Sequence, residues 1–196
     1  PHTLSLHDAL PILIVQVSDG SLTGSQTITV TVTNTNDNGA GAISDTNPAA
    51  NSLAENVANG TTVGITAFAV DPDVGDTISY SLDNDAGGRF VIDANTGIVT
   101  VANSGLLNYE AATSHNILVR ATSSDSSFTT ANFTISLTDI NEFPVSPVSD
   151  TNVATNSVAE NAANGTVVGV TAFASDADGT NNTITYSLSN DEIGRA

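Results

Sequence analysis

Acidic and amide side chains gather in short motifs between the apolar runs of the chain. Ala-Glu-Asn occurs twice, an Asp-x-Asp follows each of its two copies, and two further acidic motifs occur once. These motifs are residues 54–56 and 159–161, 71–73 and 176–178, 107–110, and 139–142. Carboxylates held within a few ångströms of one another repel unless a cation lies between them. Calcium binds roughly six to eight such oxygens in a flexible geometry, so the motifs predict calcium binding.

A long internal repeat accounts for the recurring motifs. The stretch 44–64 returns 105 residues later as 149–169, with 16 of 21 positions identical. A fixed period close to the size of one small domain indicates a tandem array. Residues 43–147 are predicted to be one complete repeat, residues 13–41 the C-terminal piece of the preceding repeat, and residues 148–191 the N-terminal piece of the next. Neither piece can close a core, so both are expected to expose apolar strand faces.

Alternating polar and apolar residues predict the strands that position these motifs. The alternation is clearest in residues 27–33, 78–82, 131–137 and 184–188, and it is typical of strands with one face on a core. No segment predicts a helix longer than a turn or two. We therefore predict an all-β fold, a Greek-key immunoglobulin-like β-sandwich. A sandwich places its loops at two poles, so the acidic motifs are expected to converge at the junctions between repeats.

The two ends of the chain are read separately from the repeats. Residues 3–12 and 192–196 match translations of opposite strands of one sequencing-adapter oligonucleotide. Residues 1–12 and 192–196 are therefore predicted to be adapter-like artefacts, and they are excluded from the functional argument.

Composition excludes several classes of function. The chain has 21 acidic residues and three Arg, giving a net charge of −18, which makes nucleic acid and anionic membranes poor partners. It has no Cys, so disulfides, thiolate metal sites and Cys nucleophiles are excluded. No Ser-His-Asp arrangement or phosphate-binding glycine loop is present, and we expect no enzyme activity in this segment. His115 is expected to be solvated.

Taken in order, the motifs resemble those of the cadherin repeat. The similar elements are Ala-Glu-Asn at Glu55 and Glu160, Phe-Val-Ile-Asp at 90–93 followed by Thr-Gly-Ile at 96–98, Leu-Asn-Tyr-Glu at 107–110, and Asp-Ile-Asn-Glu at 139–142. The resemblance implies tandem cadherin-type repeats whose junctions are stiffened by calcium ions.

The resemblance also implies two sets of calcium ligands. We call the connection before the complete repeat the first junction and the connection after it the second junction. The implied ligands of the first junction are Asn36, Asp37, Asp71 and Asp73. Those of the second junction are Glu55, Glu110, Asp139, Asn141, Glu142, Asp176, Asp178 and Asn181.

Several positions depart from the family pattern, and each departure removes or moves a carboxylate. Asn34 and Asn108 stand where the family has Asp, Ser123 replaces another Asp, and Glu-Phe at 142–143 replaces Asp-Asn. Fewer charged ligands weaken calcium binding, toward dissociation constants of roughly 10⁻⁴ to 10⁻³ M. One or two ions at each junction are expected, rather than three.

The sequence thus supports two hypotheses of function. The first is a calcium-rigidified spacer or adhesion segment of a large extracellular or cell-surface adhesin. Its partners would be calcium ions, neighbouring repeats, and homophilic or surface glycan ligands. The lack of Cys and the Thr-, Asn- and Ala-rich composition favour a bacterial source. The alternative is a carbohydrate-binding module beside a polysaccharide-degrading enzyme, which would require exposed aromatic residues such as Tyr109.

Overall fold

The computed structural model of the chain describes residues 12–30, 35–180 and 182–189. Within these ranges the secondary structure consists of twelve strands and one short 3-10 helix, Ser104–Leu106. The strands are β1 (Ile12–Ser18), β2 (Thr23–Thr29), β3 (Ser44–Asp45), β4 (Ser52–Ala54), β5 (Thr62–Phe68), β6 (Ile78–Asn84), β7 (Phe90–Ile92), β8 (Ile98–Val101), β9 (Ser114–Ser123), β10 (Phe128–Thr138), β11 (Ser149–Asp150) and β12 (Ala172–Phe173). The predicted all-β class is confirmed.

Strands β3 to β10 form two four-stranded sheets around one core. One sheet has the order β4-β10-β9-β6 and the other the order β3-β5-β8-β7. Strand β3 pairs with β5, whereas β4 pairs with β10 in the opposite sheet, so the chain crosses between sheets after Asp45. Strand β4 runs parallel to β10, unlike the antiparallel pairings around it. The complete repeat is therefore the predicted β-sandwich.

The alternation in sequence becomes alternating burial in the sandwich. Every second residue of β9 points inward, and Ile117, Val119 and Ala121 are fully buried there. Burying an aliphatic side chain of this size contributes about 1.5–3 kcal/mol to folding. The buried apolar residues of the core are Leu53, Val63, Ile65, Ala67, Ala69, Tyr80, Phe90, Val99, Val101, Leu107, Ile117, Val119, Ala121, Ile135 and Leu137.

The segments on either side of the complete repeat carry little buried surface. Strands β1 and β2 form an isolated hairpin whose residues are all exposed. Beyond the complete repeat, β11 and β12 pair over two residues, and Leu188 is 85% exposed. The expectation of exposed apolar faces is confirmed for the described residues. Each of these segments forms only a two-stranded sheet among the described residues, which leaves no second sheet against which to bury these side chains.

One predicted strand is wrong. Residues 184–188 form no strand, although their counterpart 78–82 lies within β6. Strand β6 is held by pairing with β9, whereas residues 184–188 pair with no strand among the described residues. A strand without a hydrogen-bonded neighbour is not stable in water.

Parts of two other predictions fall outside the described residues. The predicted strand 27–33 overlaps the end of β2, and residues 31–34 are not described. The adapter-like segments also lie outside the described residues, except for Ile12, which begins β1. Across the described ranges, no helix has the length and apolar character needed to cross a membrane.

Candidate metal centre

Four carboxylates of the complete repeat meet at the second junction. One carboxylate oxygen from each of Glu55, Glu110, Asp139 and Glu142 lies within 4.8 Å of the others. Strand pairing explains half of this cluster, because Ala54 at the end of β4 lies beside Thr138 at the end of β10. The next residues along these parallel strands are Glu55 and Asp139. The parallel pairing therefore brings together two acidic residues that are 84 positions apart.

Glu55 is the structural centre of this cluster. It is 0% exposed, and its carboxylate accepts hydrogen bonds from the backbone N–H of Tyr109 at 2.6 Å and of Ile140 at 3.0 Å. A buried carboxylate must have such partners, since burying an unpaired charge is costly. Glu55 therefore holds the loop that carries Glu110 and the exit segment that carries Asp139 in fixed positions.

The following segment completes the site with Asp178. Its side chain is 2% exposed, and its Oδ1 accepts hydrogen bonds from the backbone N–H groups of Glu142 and Phe143 at 3.0 and 3.1 Å. The Oδ2 atom of Asp178 and the Oδ1 atom of Asp139 are buried and accept no hydrogen bond among the described residues. Oxygens of this kind suit a calcium ion, so the donor set fits the metal.

Electrostatic effects in the cluster differ from one carboxylate to the next. Partial burial raises the pKa of Glu142, and the negative charges of Glu55 and Glu110 raise it further. The pKa of Asp139 is lowered because the Thr180 hydroxyl donates to it, and the Thr180 backbone N–H donates to the same Oδ2 at 2.6 Å. The charged form of Glu142 is therefore disfavoured by its acidic neighbours, and a bound cation would offset this repulsion.

The first junction repeats the central contact of the second. Asp73 accepts hydrogen bonds from the backbone N–H groups of Asp37 at 3.1 Å and Asn38 at 2.8 Å. These residues precede Asp178, Glu142 and Phe143 by 105 positions. The hydrogen bonds from Asn38 lower the pKa of Asp73, because they favour the charged form.

A second group of carboxylates lies at this first junction. Oxygens of Asp71, Asp73 and Asp76 lie within 4.8 Å of one another. The Oδ2 atom of Asp71 is buried and accepts no hydrogen bond among the described residues, whereas Asp76 accepts one from the Ser124 hydroxyl. This group, too, fits a divalent cation.

The predicted ligands that the structure describes occupy three kinds of position. Some lie in a carboxylate cluster, some are hydrogen-bonded to one, and the others lie outside the clusters. Glu55, Glu110, Asp139 and Glu142 meet directly, as do Asp71 and Asp73. The hydrogen bonds described above connect Asp37 and Asp178 to the two junctions. The backbone N–H of Asp178 also donates to the carboxylate of Asp176 at 3.2 Å. In the amide orientation that satisfies its hydrogen bonds, the side-chain nitrogen of Asn36 donates to Asp125 at 3.1 Å. Asn141 is exposed beside the cluster, and Asn181 lies outside the described residues. Metal binding by these residues stays a prediction.

Two acidic residues at the first junction were not predicted. Asp76 joins the cluster from the same loop as Asp73, and its position three residues further along was a usable signal. Asp125 contacts Asn36 and accepts the backbone N–H of Ser127 at 2.7 Å. It lies two residues after Ser123, the position at which this chain has a serine where the family pattern has an Asp.

His115 differs from the expectation of a solvated side chain. It is half-buried at the inner edge of β9, with its Nε2 atom covered and its ring 6.2 Å from that of Phe90. Desolvation lowers the pKa of His115, and the positive charge of Arg89 lowers it further. The alternating inward direction of β9 side chains places it there.

A known family matches a segment within the predicted complete repeat. Residues 50–138 match the family model described as the cadherin domain. This range runs from just before β4 to the end of β10, and it contains most of the sandwich and two of the four clustered carboxylates.

Curated relatives match a larger part of the chain. The protocadherin-like wing polarity protein stan of Drosophila melanogaster is 34% identical over 161 residues, covering 77% of this chain and 4% of the relative. Human cadherin-related family member 1 is 29% identical over 142 residues, covering 71% of this chain and 16% of the relative. The chain therefore spans a small fraction of the length of these relatives.

Solved structures agree with both comparisons. Mouse cadherin-23 EC22-24 superposes with a TM-score of 0.60 and 27% identity, covering 84% of this chain and 52% of that structure. Domains 1–4 of protocadherin gamma B7 superpose with a TM-score of 0.61 and 26% identity, covering 80% and 37%. The chain therefore has the fold of cadherin-type repeats, and its residues 50–138 match the cadherin domain.

Proposed function

We propose that this chain is a calcium-binding segment of a large extracellular adhesion protein, in which calcium fixes the orientation of successive repeats. The observation that carries the proposal is the cluster of Glu55, Glu110, Asp139 and Glu142 beside the buried Asp178. The family match supports the same role, since its members are named as cadherins and protocadherins.

Calcium would act on the junction by joining two segments that otherwise repel. The cluster contributes four carboxylates from the complete repeat, and Asp178 adds a fifth from the following segment. Without a cation, these charges favour separation of the segments. With one, the buried oxygens of Asp139 and Asp178 gain a partner, and rotation between the repeats becomes restricted.

The two junctions are expected to differ in affinity. At the first junction the side-chain amide of Asn38 donates to Asp37 at 2.9 Å and to Asp73 at 3.2 Å, which holds both carboxylates in place. Phe143 occupies the matching position at the second junction and offers no such donor. We propose one or two ions at each junction, bound with extracellular-range affinity.

The wider context of the protein follows from the same proposal. We propose an extracellular or cell-surface location, a bacterial source, and neighbouring repeats and homophilic or glycan ligands as partners. No observation specifically favours the carbohydrate-binding alternative. Tyr109, its required aromatic, is half-buried and packs against the core.

Calcium titration of the chain tests the metal centre. Isothermal titration calorimetry should detect binding, and Glu55→Gln should weaken the second junction by at least about tenfold, because ligand charge sets affinity. Glu55 also supports the fold, so Glu110→Gln, at an exposed position, serves as a second variant.

The matched control is Asp83→Asn. It removes the same charge from an ion pair with Arg120 on β9, where the closest N–O distance is 2.6 Å, and it should leave calcium affinity nearly unchanged. Equal titrations for wild type, Glu55→Gln and Glu110→Gln would contradict the proposed site.

Solution scattering of a protein with three intact repeats tests the spacer role. The radius of gyration should be larger and the conformational spread smaller in calcium than in excess chelator. Identical scattering in the two conditions would contradict a calcium-dependent rod, even if calcium were bound.

A further inference from the structure

The second junction contains an aromatic contact beside the carboxylate of Glu110, whose Oε1 would lie 3.2 Å from a Cβ atom placed on Gly179. A Cβ atom placed on Gly179 would lie 2.8 Å from both Cδ1 and Cε1 of Tyr109. Real Cβ contacts are not this short, so the ring of Tyr109 already occupies the space where a side chain at 179 would stand. The complete repeat and the following segment therefore meet here through a ring and a bare backbone.

Backbone conformation does not require glycine at this position. The glycines with positive φ are Gly20, Gly60, Gly64, Gly75, Gly87, Gly88, Gly97, Gly165 and Gly169, and Gly179 is not among them. Its φ therefore lies outside the left-handed region that favours glycine. Close approach of Tyr109 is thus the constraint that excludes a side chain at 179.

Tyr109 is held in place from several sides. Its backbone N–H donates to Glu55 at 2.6 Å, and its ring packs against the hydrophobic core of the complete repeat. The next residue, Glu110, accepts a hydrogen bond from the Gly179 backbone N–H at 2.9 Å. Moving the ring aside for a larger side chain would therefore sacrifice core packing or this hydrogen bond.

The complete repeat has a different residue at the equivalent position. Val74 directly follows Asp73, whereas Gly179 directly follows the matching Asp178. Val74 is 82% exposed. A repeat that presents valine there could not dock behind Tyr109 in the geometry seen at the second junction.

We propose that Tyr109 and residue 179 form a packing pair that selects which repeat can follow and sets the orientation at the second junction. The pair builds on the proposed role of the junction as a fixed connection between repeats, but it acts through shape and not through charge. Tyr109 is a positioning residue, since it brings Glu110 and the Gly179 backbone into contact. Repeats with a bulky residue at the position of 179 would need a smaller residue at the position of Tyr109.

Nuclear magnetic resonance of the full chain in saturating calcium tests the contact. The ring current of Tyr109 should displace the Gly179 Hα resonances from the positions that they take without the ring. Tyr109→Phe should keep this shift because it keeps the ring, whereas Tyr109→Ala should abolish it. Gly179 resonances at ordinary positions in the wild-type chain would overturn the proposal.

A pair of substitutions tests the selection. Gly179→Val should weaken calcium binding at the second junction by about tenfold, the scale of coupling between residues in contact. Adding Tyr109→Ala should restore much of that loss, because it removes the obstructing ring. The proposal would be overturned if Gly179→Val reduced calcium affinity equally in the wild-type chain and in the Tyr109→Ala chain.

The two sets of measurements separate this inference from the proposed function. A chain that binds no calcium but shows the ring-current shift would refute the metal centre alone. A chain that binds calcium with no shift at Gly179 would refute the packing pair alone. Far-ultraviolet circular dichroism of each variant confirms that the complete repeat remains folded, since Gly179 lies outside its core.

Discussion

The carboxylates at the two junctions are held in place chiefly by backbone donors. Asp73 and Asp178 each accept two consecutive N–H groups from the exit segment of the repeat before them. Backbone donors do not depend on side-chain identity, so this contact survives the change from Asn38 to Phe143. The side-chain amide of Asn38 is lost, however, and its support for neighbouring carboxylates is lost with it. The residues at the second junction thus preserve the geometry of the contact while reducing its polar support.

Acid stability depends on His115. Because burial and Arg89 lower its pKa in the folded chain, the unfolded chain binds the proton more readily. The stability that neutral His115 contributes is then fully present above the ordinary His pKa of about 6.5 and is lost as pH falls through that value toward the folded one. In thermal unfolding followed by circular dichroism, wild type should lose more stability than His115→Phe between pH 7 and pH 5. Parallel curves for the two proteins would show that His115 does not contribute.

Pairings between strands decide which loops meet. The parallel pairing of β4 with β10 sets Glu55 beside Asp139, and the turn before β8 brings another backbone close to β5. At that turn Gly97 has φ +70°, and a Cβ there would lie 2.2 Å from the Ala67 carbonyl oxygen. The Gly97 carbonyl also accepts the Ala67 N–H at 2.9 Å. Glycine is therefore needed here both for conformation and for close approach.

A matched pair of glycine substitutions separates these two needs. Gly88 also has positive φ, at +83°, but no atom lies within 4 Å of its hypothetical Cβ. Gly88→Ala should cost about 1–2 kcal/mol from backbone strain alone. Gly97→Ala should cost about 1–3 kcal/mol more, because the β5–β8 pairing must also shift. Chemical denaturation of both variants measures the difference, and equal losses would contradict the close approach.

Charge dominates the behaviour of the chain as a whole. A net charge of −18 opposes a compact state through self-repulsion, and clustering at the junctions concentrates that repulsion. Apolar side chains are exposed at both ends of the described structure. The negative charge opposes association of two chains through these apolar surfaces. Calcium and simple salt should therefore both reduce this self-repulsion. Calcium would do so by binding specific ligands, and salt would do so by screening.

Salt titration measures the screening contribution. In excess chelator, raising NaCl from about 20 mM to about 500 mM shortens the Debye length several-fold and should raise the unfolding temperature. The same change should weaken calcium binding, since screening reduces attraction to the clusters. KCl serves as the control, because screening does not distinguish the two cations. An unfolding temperature independent of both salts would contradict a major role for self-repulsion.

Local patterns in the sequence were sufficient for the fold class and for the 105-residue repeat. Alternation marks a strand because side-chain direction depends on neighbouring residues alone, as in residues 131–137 of β10. The predicted strand at 184–188 does not form, because a strand also needs a hydrogen-bonded partner that can be distant in sequence. The placement of Asp76 and Asp125, the burial of His115, and the approach of Tyr109 to Gly179 all depend on long-range pairing and loop geometry. Short-range periodicity carries no information about these contacts, because they join residues whose separation in sequence is unrelated to their distance in the folded chain.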